Sequence, residues 1–324
     1  MPEATQEASV AGMRILLTND DSMQASDERH TDGIGLYEMR AAFCEAGADV
    51  VVIAPWAVQS GRGTAVTNSG EVTVLQDPDA PEGYADDCSG APSGGPVYGV
   101  CLGGECTAES GSATPTDTVK FAMRGGLEDL VGWDTPPDLV ISGPNSGLNV
   151  ASSVNDSGTV GAALAGIEHH VPAIAVSSSA TADFSHIPME NYAATSAWVV
   201  ALTQDLVARD MLQQYEYAIN VNYPDTSENP AQPAQYTEVG DAALAFHSYT
   251  ATENGSYDVG ISRCEGLEIC DEDKSQADWE AAMSGAIAVT ALTSDRTYDP
   301  EVMPTEAVQQ LRTYVETAAP APGQ

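Results

Sequence analysis

The stretch RILLTNDD at residues 14–21 decides the fold class. Its first five residues, RILLT, form a short apolar run that ends abruptly in Asn19, Asp20 and Asp21. A buried parallel strand has this pattern, because both of its faces are covered and polar residues appear only where it leaves the sheet. We therefore expect residues 14–18 to form a parallel strand that delivers polar side chains to its carboxyl end.

Strands and helices alternate along most of the chain. Apolar residues recur near helical spacing over 33–46, and a second apolar run at 49–54 completes a βαβ unit. The further predicted elements are a helix near 116–131, a strand at 138–142, a helix near 158–169, a strand at 173–177, a helix around 190–208 and a strand at 217–222. This alternation predicts an α/β fold with a mostly parallel sheet flanked by helices.

Three regions depart from the alternation. Residues 77–112 are rich in Gly, Pro, Ser and acidic residues and show almost no apolar periodicity, so we expect an insertion there. Residues 236–294 have the pattern of a β-hairpin followed by the apolar run SGAIAVTAL. The Ala- and Pro-rich tail from about residue 315 is predicted to be disordered.

Acidic residues dominate the charge, because 48 Asp and Glu against 11 Lys and Arg give a formal net charge of -37. Binding a nucleic-acid backbone needs a basic patch, so a nucleic-acid scaffold is excluded as a partner. A small phosphate ester stays open as a ligand if a metal ion supplies the positive charge. The acidity also predicts a solvated surface suited to a salty medium, where ions screen the repulsion between like charges.

The cysteines favour an oxidising compartment. No C-x-x-C and no Cys/His spacing typical of zinc occurs, so we interpret them as disulfides of an exported protein, with inert thiols of a cytoplasmic protein as the alternative. Cys44 stands alone in the first helix. The expected pairs are Cys101 or Cys88 with Cys106, and Cys264 with Cys270. No apolar run is long enough to span a membrane, and residues 1–12 lack the regions of a signal peptide, so we expect a soluble protein.

Polar residues follow three of the predicted strands. In an open parallel sheet, loops at the carboxyl ends of the strands meet in one crevice, so these residues can converge. Carboxylate, hydroxyl and amide oxygens suit a hard cation such as Mg²⁺ or Mn²⁺. For the Asp pair alone, a helix cap or a turn is the alternative interpretation. The clusters are Asn19-Asp20-Asp21, Gln59-Ser60-Gly61 and Ser142-Gly143-Pro144-Asn145.

A fourth polar cluster opens the Gly- and Ala-rich helix near 158–169. Backbone N–H groups at a helix start and the helix dipole favour an anion, so this cluster is a candidate phosphate cradle. The same Ser-Gly-Thr sequence also fits an ordinary helix cap, and both interpretations stay open here. The cluster is Asn155-Asp156-Ser157-Gly158-Thr159.

Eight motifs carry a family resemblance through their order. They are RILLTNDD, DGIGLYEMRAAF, VVVIAPWAVQSG, ATPTDTV, PDLVISGPNSGLNV, NDSGTVGAALAGIEHHVPAIAVS, INVNYP and SGAIAVTALTSD. In this order they resemble the survival protein SurE family of metal-dependent nucleotidases and acid phosphatases, over about residues 13–296. The resemblance implies a Rossmann-like core and a C-terminal β-hairpin extension, with the hairpin and C-terminal segment exchanged between the subunits of a homodimer or homotetramer.

The resemblance also implies a set of site residues. The family's metal ligands, for Mg²⁺ or Mn²⁺, match Asp20, Asp21, Ser60 and Asn145, and the two aspartates are the implied catalytic residues. The implied phosphate-binding residues are Asn19, Gly61, Asn145, Ser157, Gly158 and Thr159. The chain departs from the family pattern at four places: Ser22 replaces a Gly, the loop to Asp32 is longer, Gln59 stands where Arg is common, and Pro144 replaces Ile.

These observations predict a divalent-metal-dependent phosphomonoesterase that hydrolyses nucleoside 5′- and 3′-monophosphates by metal-assisted attack of water. One rival is a phosphatase of the haloacid dehalogenase type, which forms an aspartyl phosphate, although its D-x-D spacing is absent. The other is a protein that binds a metal or phosphate without turnover. The predicted divisions are a flexible N-terminus at 1–12, a catalytic core at 13–235 with an insertion at 77–112, a hairpin and oligomerisation segment at 236–296, and a C-terminal helix with a disordered tail at 297–324.

Overall fold

A computed structural model gives the architecture. It describes residues 9–76, 80–181, 185–243, 245–264, 268–297, 310 and 312–313. The chain divides into two compact units, Met1–Leu292 and Thr293–Gln324, and the first contains the elements discussed below. The disordered tail predicted from about residue 315, and most of the predicted N-terminal flexible segment and C-terminal helix, lie outside the described residues.

Ten strands of the described chain form one sheet, and two more form a separate hairpin. The sheet order is β3-β4-β2-β1-β6-β7-β8-β12-β9, with β5 paired to β4, and the hairpin is β10-β11. The strands are β1 (Arg14–Thr18), β2 (Asp49–Pro55), β3 (Val72–Gln76), β4 (Val97–Leu102), β5 (Gly111–Ser112), β6 (Leu139–Ser146), β7 (Ala173–Ser178), β8 (Ala218–Tyr223), β9 (Gln232–Tyr236), β10 (Ala245–Ala251), β11 (Tyr257–Arg263) and β12 (Ala286–Leu292).

The helices flank this sheet. They are α1 (Ile34–Glu45), α2 (Pro115–Phe121), a π-helical turn (Ala122–Gly126), α3 (Leu127–Val131), α4 (Gly158–Glu168), α5 (Met189–Ala208) and α6 (Asp278–Met283), with short 3₁₀ turns at Ala151–Asn155 and Glu268–Cys270. The single helix expected near 116–131 is therefore wrong in detail. Arg124 and Gly125 leave the helical conformation, and the φ of +124° at Gly125 explains the break.

Six strands that are neighbours in the sheet run parallel to one another: β4, β2, β1, β6, β7 and β8. The direction in which the chain adds strands to the sheet reverses at β1. From β1 the chain moves outward to β2 and β4 on one side, and it then returns to β6 on the other side of β1. Such a reversal opens a crevice at the carboxyl ends of the two strands, where ligands bind in α/β proteins. The α/β class and the Rossmann-like parallel core are confirmed.

Both faces of β1 are buried, which explains its continuous apolar sequence. Ile15 and Leu17 point into the core formed with α1, where Leu36 and Phe43 are almost fully buried. Leu16 points into the opposite core, formed with α2 and α4. Each buried face of β1 removes apolar surface from water, and this burial stabilises the fold by about 25 cal/mol per Å². The carboxyl end of β1 is therefore fixed rigidly at the crevice.

The expected insertion at 77–112 is wrong in one important respect. Its segment VYGVCL forms β4, which is buried and lies inside the sheet between β3 and β2. The Gly- and acid-rich flanks hid this six-residue strand, which contains Gly99 at its third position. A Cβ there would lie 2.8 Å from Met23 and 2.9 Å from Trp56, so the strand needs glycine at that point.

Three disulfides connect the described cysteines: Cys44–Cys88, Cys101–Cys106 and Cys264–Cys270. The last matches its predicted pair, and the second is one of the two alternatives left open. The prediction that left Cys44 without a partner was wrong, because the loop after β3 crosses α1 and brings Cys88 to Cys44. There the Arg40 side chain donates to the Gly95 carbonyl at 2.7 Å.

The C-terminal part of the first unit contains the predicted hairpin, and its last strand returns to the main sheet. β12 pairs antiparallel with β8 and parallel with β9, so it lies between the parallel core and the edge strand β9. None of the helices in the described part of the chain has the length and apolar character required to cross a bilayer.

Candidate active site

The candidate site lies at the crevice between β1 and β6. Thr18 and Ser142 are neighbours in the parallel ladder, and each is followed by residues of a predicted polar cluster. β6 is irregular at this point, because its pairing with β7 shifts between Ser142 and Asn145. Gly143 has a φ of +119°, and a Cβ there would lie 2.1 Å from the Val176 carbonyl oxygen. The irregularity therefore depends on glycine, and it brings Asn145 to the crevice.

Asp20 is held by the start of α4. The Thr159 hydroxyl donates to Asp20 Oδ1 at 2.6 Å. Burial raises the pKa of Asp20, and the Thr159 hydroxyl and the N–H groups of Thr159 and Gly158 oppose that rise. A Cβ on Gly158 would lie 2.8 Å from the Asp20 Cβ, so only glycine lets the helix approach this closely. Asp20 and α4 thus form one unit, although 139 residues separate the two bonded side chains.

Asp21 is held by the residue that follows Asn145. The N–H of Ser146 donates to Asp21 Oδ2 at 2.6 Å, and the Ser146 hydroxyl donates to Oδ1 at 2.9 Å. Burial is the largest cause that raises the pKa of Asp21 well above its usual value, and repulsion from Asp20 adds to it. Asp32 raises it further by a smaller amount. Three carboxylates therefore lie close enough to repel one another.

Two more polar side chains beside the pair have unused hydrogen-bonding atoms. Asp32 Oδ2 accepts the N–H groups of Ser26 and Asp27, while its buried Oδ1 has no hydrogen-bond partner. Asn19 is completely buried, and both atoms of its amide group lack a partner. Buried polar atoms are almost always paired in folded proteins, so unpaired ones beside two carboxylates point to a ligand.

The donor set fits a hard divalent cation. Asp20 and Asp21 are buried carboxylates that repel each other, and no Lys or Arg among the described residues forms a salt bridge with either. Uncompensated buried charge is costly, and a divalent ion between the oxygens removes that cost. In the described chain no three His, Cys, Asp or Glu side chains are grouped to hold a metal. A cation held by the Asp pair would therefore need uncharged oxygens and water as its remaining ligands.

The predicted second cluster reaches the site through its backbone. The N–H of Gln59 donates to the Asp20 carbonyl at 2.7 Å. Ser60 is exposed, and Gly61 adopts a φ of +77° in the turn that follows. The structure thus brings this loop against the Asp pair, with Ser60 exposed to solvent. Asn145 is buried, and its amide donates to the Gly147 carbonyl at 2.6 Å.

Ser157 is the N-cap of α4. Its hydroxyl oxygen accepts the Val160 N–H at 3.1 Å, which is the capping geometry expected from the sequence. The loop after Gly61 packs on the same helix, where the Gly63 N–H donates to the Asp156 carbonyl at 2.9 Å. The first turn of α4 contains no acidic residue, and the N–H groups of Gly158 and Thr159 are directed at the Asp20 carboxylate.

The sequence did not single out Ser146 as a site residue, nor Asp32 as a third carboxylate. Ser146 is adjacent to the predicted Asn145, which is the signal that would have found it. Asp32 had no such signal, because it lies beyond a loop of ten residues whose path the sequence does not reveal. Thr159 was expected at the phosphate, and the structure places its hydroxyl on Asp20 instead of in the open crevice.

Comparison with known proteins agrees with this geometry. The sequence model of the family described as survival protein SurE matches residues 15–245. The chain belongs to the survival protein SurE family. The 5′-nucleotidase SurE of Hyphomonas neptunium is 28% identical over 89% of this chain and 96% of that protein. The 5′-nucleotidase SurE of Methanopyrus kandleri is 30% identical over 89% of this chain and 94% of that protein.

A solved SurE structure has the same fold. The crystal structure of the SurE protein from Aquifex aeolicus superimposes with a TM-score of 0.65 at 24% identity, covering 92% of this chain and 99% of that chain. At this identity the likeness concerns the fold alone. It agrees with the mostly parallel sheet, the flanking helices and the C-terminal strands described above.

Proposed function

We propose that the protein is a divalent-metal-dependent phosphomonoesterase that hydrolyses nucleoside 5′- and 3′-monophosphates. The observation that carries the proposal is the buried pair Asp20 and Asp21 at the reversal point of the sheet, directly beside the N-terminus of α4. Carboxylates for a cation and the positive end of a helix dipole for an anion lie side by side, which is what a phosphate ester bound with a metal requires. The 5′-nucleotidase names of the SurE relatives support the substrate class.

The chain's own oxygens would hold the cation. Asp20 and Asp21 supply the charge, Ser60 approaches from the open side of the crevice, and Asn145 approaches from the end of β6. When bound, Mg²⁺ or Mn²⁺ supplies Lewis acidity and positive charge to a phosphate ester. Thr159 and Ser146 keep the two carboxylates in their orientations by donating hydrogen bonds to them.

The start of α4 would bind the phosphate. The positive end of its dipole and the hydroxyl hydrogen of Ser157 would stabilise the negative charge that develops on the oxygens during transfer. Ser157 and Gly158 lie at this end, and Asn145 and Asn19 are further candidates to bind the phosphate. One of the two carboxylates, Asp20 or Asp21, would take the proton of the attacking water.

The assay that tests this proposal uses purified protein with p-nitrophenyl phosphate, 5′-AMP and 3′-AMP, in Mn²⁺ and again after EDTA. We expect hydrolysis of all three in Mn²⁺ and none after EDTA. Asp20→Asn and Asp21→Asn should each remove activity with a near-native melting temperature. Asp129→Asn, at an exposed carboxylate on α3, is the matched control and should keep it.

Two outcomes would contradict the proposal. Substantial hydrolysis by the Asp21→Asn protein in EDTA would remove the metal-site interpretation. Saturable Mn²⁺ binding without hydrolysis of any substrate would favour the non-catalytic rival. Acid quenching during turnover of a ³²P-labelled substrate separates the haloacid dehalogenase mechanism, because only that mechanism leaves label on an aspartate.

A further inference from the structure

One segment, residues 147–156, joins the end of β6 to Ser157 at the start of α4. Its second half is the 3₁₀ turn Ala151–Asn155. The Ser157 N–H donates to the Ser153 carbonyl at 3.0 Å, so this turn continues into the helix cap without a flexible joint. A shift of the turn is therefore passed directly to Ser157.

The first half of this segment is bound to the sheet through Asn149. Its N–H donates to Asn222 Oδ1 at 2.8 Å, and its carbonyl accepts the side-chain amides of Asn222 and Asn220 at 3.1 and 3.0 Å. Its own side chain donates to the Ser177 hydroxyl at 2.9 Å. These four bonds fix Asn149 on β7 and β8, and they leave the turn that follows to be held by other residues.

Asp278, the first residue of α6, holds that turn from far along the chain. Its carboxylate accepts the Ala151 N–H at 3.0 Å on Oδ1 and 3.2 Å on Oδ2. Oδ1 also accepts the Gly240 N–H at 3.0 Å and the Trp279 N–H at 2.9 Å. Asp278 is completely buried, and a charge-assisted bond of this kind is stronger than a neutral one.

The Asp278 carboxylate contacts a residue in a strained backbone conformation. Ala151 has a φ of +49°, a left-handed conformation that costs a non-glycine residue free energy and persists only where the surroundings impose it. Gly240 lies against it, since a Cβ on Gly240 would be 3.3 Å from the Ala151 Cβ. Burial raises the pKa of Asp278, and the N–H groups of Gly240, Ala151 and Trp279 oppose that rise. A buried carboxylate is thus directed at one strained residue.

We propose that Asp278 is a positioning residue for phosphate binding: through the Ala151 N–H it fixes the turn at 151–155, and the turn fixes Ser157, at the start of α4, against the phosphate. This inference rests on the proposed function. Asp21 is held by Ser146, outside this turn, whereas Asp20 is bonded to Thr159 on α4. Loss of Asp278 should therefore weaken phosphate binding more than metal binding.

The test compares Asp278→Ala and Asp278→Asn with Thr237→Val. Thr237 directly follows β9, and its hydroxyl shares a buried hydrogen bond of 2.7 Å with that of Thr290 on β12, so its variant destabilises the same part of the fold without touching the turn. Each protein is measured for melting temperature, for Mn²⁺ affinity by calorimetry, and for KM and inhibition by inorganic phosphate with p-nitrophenyl phosphate as substrate.

For Asp278→Ala we expect KM and the phosphate inhibition constant to rise about tenfold or more, the scale of a slightly misplaced binding group, with a smaller change in Mn²⁺ affinity. Asp278→Asn keeps one acceptor oxygen, so its KM and phosphate inhibition constant should lie between those of Asp278→Ala and wild type. If Asp278→Ala does not fold, Asp278→Asn is compared with wild type alone. Thr237→Val should lower the melting temperature alone. Equal phosphate constants in all folded variants of an active protein overturn the positioning role and leave the proposed function intact, whereas an inactive wild type overturns the proposed function first.

Discussion

Three consecutive residues at the start of α4 have different tasks. Ser157 caps the helix, Gly158 allows the helix to touch Asp20, and the Thr159 hydroxyl orients the Asp20 carboxylate. The sequence allowed a cap and a phosphate cradle as alternatives for this cluster. The two are compatible, because a cap uses the serine oxygen as an acceptor while its hydroxyl hydrogen stays available to a ligand.

Ser157→Ala tests whether the residue also acts on the phosphate. We expect kcat/KM to fall by roughly tenfold to a thousandfold, the scale for loss of one oriented donor, and stability to fall by about 1 kcal/mol from loss of the cap. Thr114→Ala removes the equivalent cap of α2, whose hydroxyl oxygen accepts the Asp117 N–H at 3.1 Å, and serves as the control. A Ser157→Ala protein that is destabilised like Thr114→Ala but has wild-type kinetics would show a cap and nothing more.

Secondary structure was predictable where periodicity is strong and not where it is masked. β1, α1 and β2 follow from their apolar spacing, and the structure shifts their ends by one residue at most. β4 was missed, because its six residues lie inside a Gly- and acid-rich stretch and its burial comes from neighbours far along the chain. Cys44 was left unpaired for the same reason, since spacing does not show which loop crosses a helix.

The disulfides give a prediction about the elements they join. Cys44–Cys88 closes a separation of 44 residues and Cys264–Cys270 one of 6, and a longer loop restricts the unfolded chain more. Cys44→Ser/Cys88→Ser should lower the free energy of unfolding by about 4 kcal/mol and Cys264→Ser/Cys270→Ser by about 2 kcal/mol. Urea unfolding measures both. The reverse order of the two losses would contradict the assignment of Cys44 to a structural disulfide.

The candidate site was predictable at the level of the whole sheet and not at the level of its bonds. Polar clusters at strand ends placed Asp20, Asp21 and Asn145 at one crevice, because parallel strands share their carboxyl edge. The hydrogen bonds from Thr159 and Ser146 cross 139 and 125 residues of sequence, and no local pattern encodes them. The position of Asp32 in the site depends in the same way on the path of a long loop, which the sequence does not reveal.

The net charge of -37 has a consequence for the whole molecule. Repulsion between surface carboxylates destabilises the folded chain, and salt shortens its reach to about 3 Å at 1 M. The salt bridges among the described residues are exposed pairs, so screening them costs little. We therefore expect the melting temperature to rise as NaCl increases from low to molar concentration. A flat or falling melting temperature over this range would exclude adaptation to a saline medium.

The central claim is that Asp20 and Asp21 bind a divalent cation. Calorimetric titration of Mn²⁺ into metal-stripped protein tests it most directly, at about 1 M NaCl so that weak binding to the acidic surface is screened. We predict saturable binding at one site in wild type and in the exposed-carboxylate control Asp129→Asn, and no saturable binding in Asp21→Asn. Equal saturable binding by all three proteins would contradict the account.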